Sequence, residues 1–342
     1  MTRAFQPVRC GLTGVGMIGT VHAEILAASA AADLVVCVDV DERAVDRVPS
    51  GVAFSQNLDD ALEANALDAL FVCTPQANHL ADIGAGLRRG LHVFTEKPLA
   101  DTLDAADAII SLAADYPGRL AVGHMYRFDG RYQALVDAAT DGRLGNLVHA
   151  SFRGNTPDYE GQLLAGRTTL AVENAVHGLD LLRWICGDIS RVYAETSRSG
   201  VTGPGLPDSL SVTMRFSSGA VGTLEFDWAM PTSTGMWSVQ HFEVVGANGV
   251  GWITARDNGV GILSKSAAPS FPRFFLTARD PAGVPYGLYR MEDEYFLAGV
   301  RDGREWPISL EDARAALAAA FAIDRSLDLE RPVRISEVDG LA

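Results

Sequence analysis

At 342 residues the chain is long for a single core and predicts two domains, while 48% hydrophobic and 21% charged residues are ordinary for a globular protein. No apolar run approaches the roughly 20 residues of a membrane span, and a net charge of −15 argues against nucleic acid or an anionic membrane as partner, since both reward basic surfaces. Cys10, Cys37, Cys73 and Cys186 show no C-x-x-C or zinc spacing, so no metal site is expected and the thiols read as buried hydrophobes in a reducing compartment.

The first predicted strand begins within seven residues of Met1, which leaves no room for a signal peptide and points to the cytoplasm. That strand, Val8 to Leu12, meets Gly14-Val-Gly16-Met17-Ile18-Gly19, and an Ala/Leu-rich helical pattern follows. Strand, glycine turn and helix in this order form a dinucleotide fingerprint. Gly14 permits the tight turn, Gly16 lets the backbone approach a pyrophosphate, and Gly19 lets the helix pack close on the strand, with the phosphates at the helix N-terminus. The next apolar run, Leu34 to Val38, ends in Asp39, twenty residues after Gly19. A carboxylate there accepts hydrogen bonds from the adenosine ribose and repels a 2′-phosphate, so the expected cofactor is NAD rather than NADP.

A helix is expected from Asp41, a short strand at 52–54, and a helix over 58–65 capped by Asn57. The strand at 68–72 runs into Cys73-Thr74-Pro75, with His79 in the helix that follows to Arg89. The strand 92–94 leads to Glu96-Lys97-Pro98; a helix at 103–114 and a strand at 120–122 complete the set. Such alternation predicts a parallel sheet covered by helices on both faces, with ligands beyond the C-terminal strand ends, where Gly14, Asp39, Thr74 and Lys97 fall. Of 28 basic residues only Lys97 and Lys265 are lysine. A lysine ammonium can be tuned and can relay a proton, which an arginine cannot, so a lysine kept at 97 hints at proton chemistry.

From about 124 the pattern changes, giving an expected division into a dinucleotide-binding domain, 1–123, and a substrate and oligomerisation domain, 124–342. A helix is expected at 130–140, strands at 147–152, 192–196, 210–216, 220–228, 237–245 and 251–254, and closing helices at 290–301 and 309–327. Consecutive strands with short glycine turns read as a large, open, mostly antiparallel sheet, of the kind that hides its outer face by self-association. All five tryptophans, Trp184, Trp228, Trp237, Trp252 and Trp306, fall in this half. Between the first two strands a mostly apolar helix over 169–186 carries Glu173, His177 and Asp180 at i, i+4 and i+7, one stripe of its surface. Two readings stay open: a buried network in which the carboxylates satisfy His177, or a histidine base oriented by a carboxylate. His22 and His79 are expected to pack near the cofactor crevice, His92, His149 and His241 to be structural, and His124 to come within reach of the cleft.

These residues resemble the Gfo/Idh/MocA oxidoreductases, which include inositol dehydrogenases and glucose–fructose oxidoreductase. The match is carried by the glycine turn followed by His22, Thr74-Pro75 with His79, Glu96-Lys97-Pro98, Arg127-Phe128, Glu173…His177 with Asp180, and Glu294-x-Phe296-x-x-Gly-Val300. The resemblance implies a Rossmann domain followed by an α/β domain that makes homodimers or homotetramers. The implied reaction is hydride transfer between NAD(P) and a secondary alcohol of a sugar or cyclitol. It makes His177 the acid/base and Lys97 the group that binds the reacting hydroxyl. Glu173 holds a position usually given to Asp, one methylene shorter. Gly14, Gly16, Met17, Ile18, Gly19, Asp39, Thr74, Pro75, His79, Glu96 and Lys97 would line the cofactor; Tyr126, Arg127, Asn155 and His177 are candidates for the substrate. The alternatives are an NADPH-dependent keto-sugar reductase, for which Arg43 near Asp39 would soften the NAD preference, and a non-catalytic dinucleotide sensor on the same fold.

Overall fold

The computed structural model describes residues 6–164, 166–234, 238–255, 278, 279, 281, 283 and 285–339; Trp237, expected at the start of a strand, lies outside them. In chain order the first part is β1 (Val8–Thr13), α1 (Met17–Ala28), β2 (Ala32–Val38), β3 (Ala53–Ser55), α2 (Leu58–Ala64), β4 (Ala69–Val72), α3 (His79–Arg88), β5 (His92–Glu96), α4 (Leu103–Ala114) and β6 (Leu120–Gly123). The strands pair in parallel in the order β3-β2-β1-β4-β5-β6, the doubly wound arrangement whose order reverses between β1 and β4. β4 is buried along its whole length, as a central parallel strand must be. The helix expected from Asp41 is instead a 3-10 segment, Glu42–Arg47, capped by Asp41 through a bond from Arg43 N. Asn57 caps α2 by accepting from Asp60 N at 3.1 Å.

The chain continues through α5 (Gly130–Thr140), β7 (Leu147–Pro157), α6 (Asp158–Leu164), α7 (Val176–Cys186), β8 (Ile189–Glu195), β9 (Ser209–Phe216), β10 (Val221–Met230), β11 (Val239–Gly246) and β12 (Val250–Ala255). It closes with the paired strands β13 (Ala278–Arg279) and β14 (Pro285–Tyr286), α8 (Leu288–Asp302), α9 (Leu310–Leu329) and β15 (Val333–Arg334). The second sheet runs β12-β11-β7-β10-β9-β8-β15. All its pairings are antiparallel except β7 with β10, which makes it a mixed sheet. β9 alternates strictly, burying Leu210, Val212, Met214 and Phe216 and exposing Ser211, Thr213 and Arg215, so one face meets the core and the other is open.

Contacts divide the chain into two compact units. The first reaches Met125 and takes in a later segment ending at Arg314; the second opens at Tyr126 and includes the residues from Ala315 on. The sequence reading kept everything after 123 together, but α8 belongs with the first unit because its apolar face is built for that core. Phe296 and Leu297 join the cluster of Leu12, Phe71 and Phe94, and the Phe296 ring meets Phe71 edge-on at 5.3 Å and Phe94 at 5.7 Å.

α8 also carries two wholly buried acids, Glu292 and Asp293. Burial, and then the neighbouring Glu96, push the Glu292 carboxyl well above its ordinary range. Neither of its oxygens has a hydrogen-bond partner among the described residues. A carboxyl whose folded value is raised must take up a proton on folding once the unfolded chain has ionised, above about pH 4.3. Within that window each pH unit removes about 1.4 kcal/mol of stability until the folded value is passed. Glu292→Gln is therefore expected to stabilise the protein more at pH 8 than at pH 5. Melting temperatures of both forms at the two pH values check this, and an equal difference at both would contradict it.

Candidate active site

The first unit supplies a dinucleotide cradle at the β1/β4 reversal. Gly14 has φ +87°, and a Cβ on it would stand 2.6 Å from the Cys73 carbonyl and from Thr74 N. A Cβ on Gly19 would overlap the Gly14 carbonyl oxygen, whereas a Cβ on Gly16 would meet nothing within 4 Å. Two glycines thus close the turn and the third leaves open space beside the first turn of α1, which fits a pyrophosphate drawn onto backbone N–H groups. Met17 and Ile18 lie in that first turn.

At the end of β2 the Asp39 carboxylate is already oriented: Oδ2 accepts from Val15 N at 2.8 Å and Oδ1 from Asp41 N at 2.9 Å. Its remaining lone pairs suit ribose hydroxyls. Arg43 forms a forked pair with Asp41 at 2.9 and 2.8 Å, and Arg47 Nε donates to Val15 O at 2.8 Å.

Beyond β4, Thr74 Oγ1 donates to Asp82 at 2.7 Å, and its carbonyl accepts from His79 Nε2 at 2.9 Å. His79 is buried, and burial lowers its basicity. Nδ1 of the ring lies 3.3 Å from Leu99 O and 3.4 Å from Thr95 Oγ1. His79 therefore braces the Thr74-Pro75 turn from beneath.

β5 ends in Glu96, both of whose carboxylate oxygens are engaged: Oε1 by His22 Nε2 at 3.0 Å and Oε2 by Lys97 N at 3.0 Å. His22 reaches back with Nδ1 to Asp293 of α8 at 2.8 and 3.0 Å. The Lys97–Pro98 peptide bond is cis.

In the second unit the expected continuous helix is a π-helical turn, Ala171–Ala175, followed by α7. π turns recur at functional sites. Here the turn carries Glu173, half-buried, and breaks the 3.6-residue period, so Glu173 and His177 do not share one regular stripe. Thr169 starts the turn: Oγ1 accepts from Val172 N at 3.2 Å and donates to Asp324 at 2.7 Å. Asn174 Oδ1 accepts from Trp228 Nε1 at 2.7 Å.

α7 lies close on β7 because Gly178 faces Phe152, where a Cβ would come within 2.5 Å of the ring. That approach fixes the neighbouring His177, whose ring meets Tyr126 edge-on at 5.1 Å. Tyr126 is buried, its hydroxyl accepts from Gln240 Nε2, and burial raises its pKa. Arg127 and Asp180 form a buried forked pair at 2.9 and 2.7 Å, with the guanidinium 5.1 Å from the Trp184 ring centroid. Removing one partner of such a pair typically costs about 3–5 kcal/mol, because the other charge is stranded. Both carboxylate oxygens of Asp180, on α7, are thus engaged by Arg127. Asn155 Nδ2 donates to Asp227, whose carboxyl is raised by burial.

The supporting residues that sequence reasoning missed are Asp293 behind His22 and Glu96, Gln240 on Tyr126, and Asn174 in the π turn. His22 was expected near the cofactor crevice, as part of the glycine motif.

Residues 8–124 match the model of the GFO_IDH_MocA oxidoreductase family, with its NAD-binding Rossmann fold, and residues 132–250 match the GFO/IDH/MocA C-terminal domain. The chain is similar to an inositol 2-dehydrogenase of Acidothermus cellulolyticus, with 31% identity over 94% of this chain and 93% of that one. It is also similar to an inositol 2-dehydrogenase of Rhizobium meliloti, with 28% identity over 96% and 99%. Among solved structures it resembles GenD2 from gentamicin A biosynthesis in complex with NAD, at a TM-score of 0.81 and 25% identity over 97% of each chain.

Proposed function

The chain belongs to the Gfo/Idh/MocA oxidoreductase family, and from that premise we propose that it is an NAD-dependent dehydrogenase of a secondary alcohol on a cyclic polyol, with an inositol as the substrate class. The observation that carries the reading is the glycine cradle guarded by an oriented Asp39, on the same chain as Lys97, Glu173 and His177 in family order. The inositol dehydrogenase names of relatives spanning the chain support the substrate class, and the NAD complex of GenD2 supports the cofactor.

NAD⁺, held by the glycine turn and Asp39, would supply the hydride acceptor for the alcohol carbon. The rest falls to the side chains. A hydroxyl whose carbon gives up a hydride must lose its proton in the same event, and an alcohol does not ionise near neutrality unaided. His177 takes that proton as general base, and the Lys97 ammonium donates to the same oxygen, favouring the developing alkoxide. In the reverse direction NADH would supply the hydride, and His177 would return the proton to the oxygen as a ketone becomes the alcohol. Glu173 is longer than the usual Asp by about one C–C bond, and sites of this kind depend on placement at the sub-ångström level, so it tunes which ring hydroxyls fit. Tyr126 holds the face of His177, and Asn155 with Asp227 offers polar contacts to a ring. We read the protein as a cytoplasmic homodimer or homotetramer; exposed Val148 and Trp252 on the second sheet support self-association.

The test is NADH formation with NAD⁺ or NADP⁺ against a panel of cyclitols and sugars. Turnover of a cyclitol with NAD⁺ is expected. Tight NAD⁺ binding with no turnover across the panel would favour a dinucleotide sensor instead. Asp39→Ser is expected to weaken NAD⁺ binding about tenfold or more and to strengthen NADP⁺ binding, since it removes both the ribose acceptor and the charge that repels a 2′-phosphate. Quenching of protein fluorescence measures both. A wild-type protein that binds NADP⁺ more tightly than NAD⁺ would replace this reading with the keto-sugar reductase.

A further inference from the structure

Behind Lys97 lies a buried chain of ionisable groups drawn from three elements that are distant in sequence. Asp293 on α8 holds His22 Nδ1 at 2.8 Å, His22 on α1 holds Glu96 Oε1 at 3.0 Å, and Glu96 Oε2 holds the Lys97 backbone N–H at 3.0 Å. His22 and Asp293 are 0% exposed. A fold that needed only to dock α8 would do so with apolar residues, as Phe296 and Leu297 do one turn along, because burying charge is costly unless every member is satisfied. We propose that His22 and Asp293 are positioning residues that act on Lys97 through Glu96, so that α8 completes the reactive-lysine segment of the dinucleotide-binding unit. This rests on the reading of Lys97 as a reacting group.

The charge pattern follows from the bonds. A histidine between two carboxylates donates from both nitrogens and is an imidazolium; burial opposes that form and is outweighed by Asp293 and Glu96. Glu96 stays ionised, because His22 and then Lys97 outweigh its own burial. The groups facing the chain are Cys73 at the end of β4, whose thiol burial pushes up, Glu292, whose carboxyl burial pushes well up, Glu294 beside Asp293, and the Tyr289 ring, edge-on to His22 at 5.5 Å. Burial raises the Asp293 carboxyl, and its bonds to His22 Nδ1 at 2.8 and 3.0 Å oppose that; as a carboxylate–imidazolium–carboxylate chain, Asp293, His22 and Glu96 carry one net negative charge, set against the Lys97 ammonium.

The sequence makes a direct test available. In a Lys265→Arg background Lys97 is the only lysine, so ¹³C reductive methylation gives one lysine resonance whose titration can be followed. Asp293→Asn removes a negative charge and is expected to lower the midpoint by about half a pH unit or more; His22→Gln removes the positive charge and is expected to raise it by a similar amount. Glu292→Gln changes a carboxyl that makes no hydrogen bond to the chain and should move the midpoint less than either of these. In steady-state assays with NAD⁺ and myo-inositol, Asp293→Asn should lower kcat about tenfold with KM for NAD⁺ little changed, and Asp293→Glu should recover part of the loss.

A midpoint unmoved in a folded Asp293→Asn or His22→Gln protein would reduce the chain to a helix-docking clamp and overturn the proposal. Each variant decides the matter independently, so one that does not fold leaves the other to settle it. Opposite shifts in a protein without polyol turnover would uphold the chain's action on Lys97 while the catalytic reading of that lysine failed.

Discussion

Lys97→Ala is expected to lower kcat for cyclitol oxidation by about 10²–10⁴-fold, the usual range for a group that moves or holds a proton in the transition state. A thousandfold loss corresponds to about 4 kcal/mol of transition-state stabilisation. KM for NAD⁺ should change little, because the Asp39 carboxylate and the glycine turn do not depend on the lysine side chain. His177→Ala should give a loss of the same order. The double variant should fall well short of the product of the two if, as proposed, both residues act on one oxygen and proton. Lys97→Arg is not expected to rescue, because a guanidinium keeps its charge but cannot match a compact ammonium. Steady-state rates of the four variants check this, and near wild-type turnover in Lys97→Ala or in His177→Ala would remove that residue from the site.

Gly19→Ala is expected to have the second largest effect, on folding as well as binding. Its Cβ would overlap the Gly14 carbonyl oxygen and press on the Cys73 side chain at 3.2 Å. The turn cannot retreat freely: Gly14 N donates to Val38 O at 2.8 Å, and Cys73 N donates to Thr13 O at 2.8 Å. α1 must then lift from the sheet, which carries the 1–3 kcal/mol typical of overpacking, or more, and it moves the helix N-terminus away from the phosphates. A melting temperature several degrees lower and NAD⁺ binding reduced beyond about a hundredfold are expected. Gly16→Ala supplies the contrast: its Cβ enters open space, so the melting temperature should hold while NAD⁺ binding weakens. Equal melting temperatures for the Gly19 variant and the wild type would contradict the packing argument.

The Rossmann half was legible almost to the residue, α4 at 103–114 being the plainest case. Each of its elements is announced by a local device: a continuous apolar run for a buried parallel strand, a glycine at positive φ, a cap such as Asn57 or Thr102. What was not legible lies in contacts between distant residues. Met291-Glu292-Asp293-Glu294 reads as the solvent face of a helix, yet two of its acids are buried because His22, 271 residues from Asp293, waits in the first core. The pairing of Arg127 with Asp180, 53 residues apart, has no period to betray it. The π turn is invisible for a related reason: its composition is that of an ordinary helix, and only the anchoring of Asn174 by Trp228 and of Thr169 by Asp324 marks it. α6 escaped because it is seven residues long, contains a glycine and follows a proline directly. Lys97, Glu173 and His177, the groups proposed to act in the reaction, were singled out by residue type, order and family resemblance; most of the partners packed around them were not, because such support is a property of packing.

The central claim is hydride transfer from a cyclitol carbon to NAD⁺, and the most direct measurement follows that hydrogen. With myo-inositol deuterated at its ring carbons and unlabelled NAD⁺, the account predicts that deuterium appears at C4 of the nicotinamide in the NADH formed, and that this appearance is lost or slowed about a thousandfold in Lys97→Ala and in His177→Ala. NAD⁺ bound tightly by the wild type, with no deuterium transferred from this or any related polyol, would contradict it.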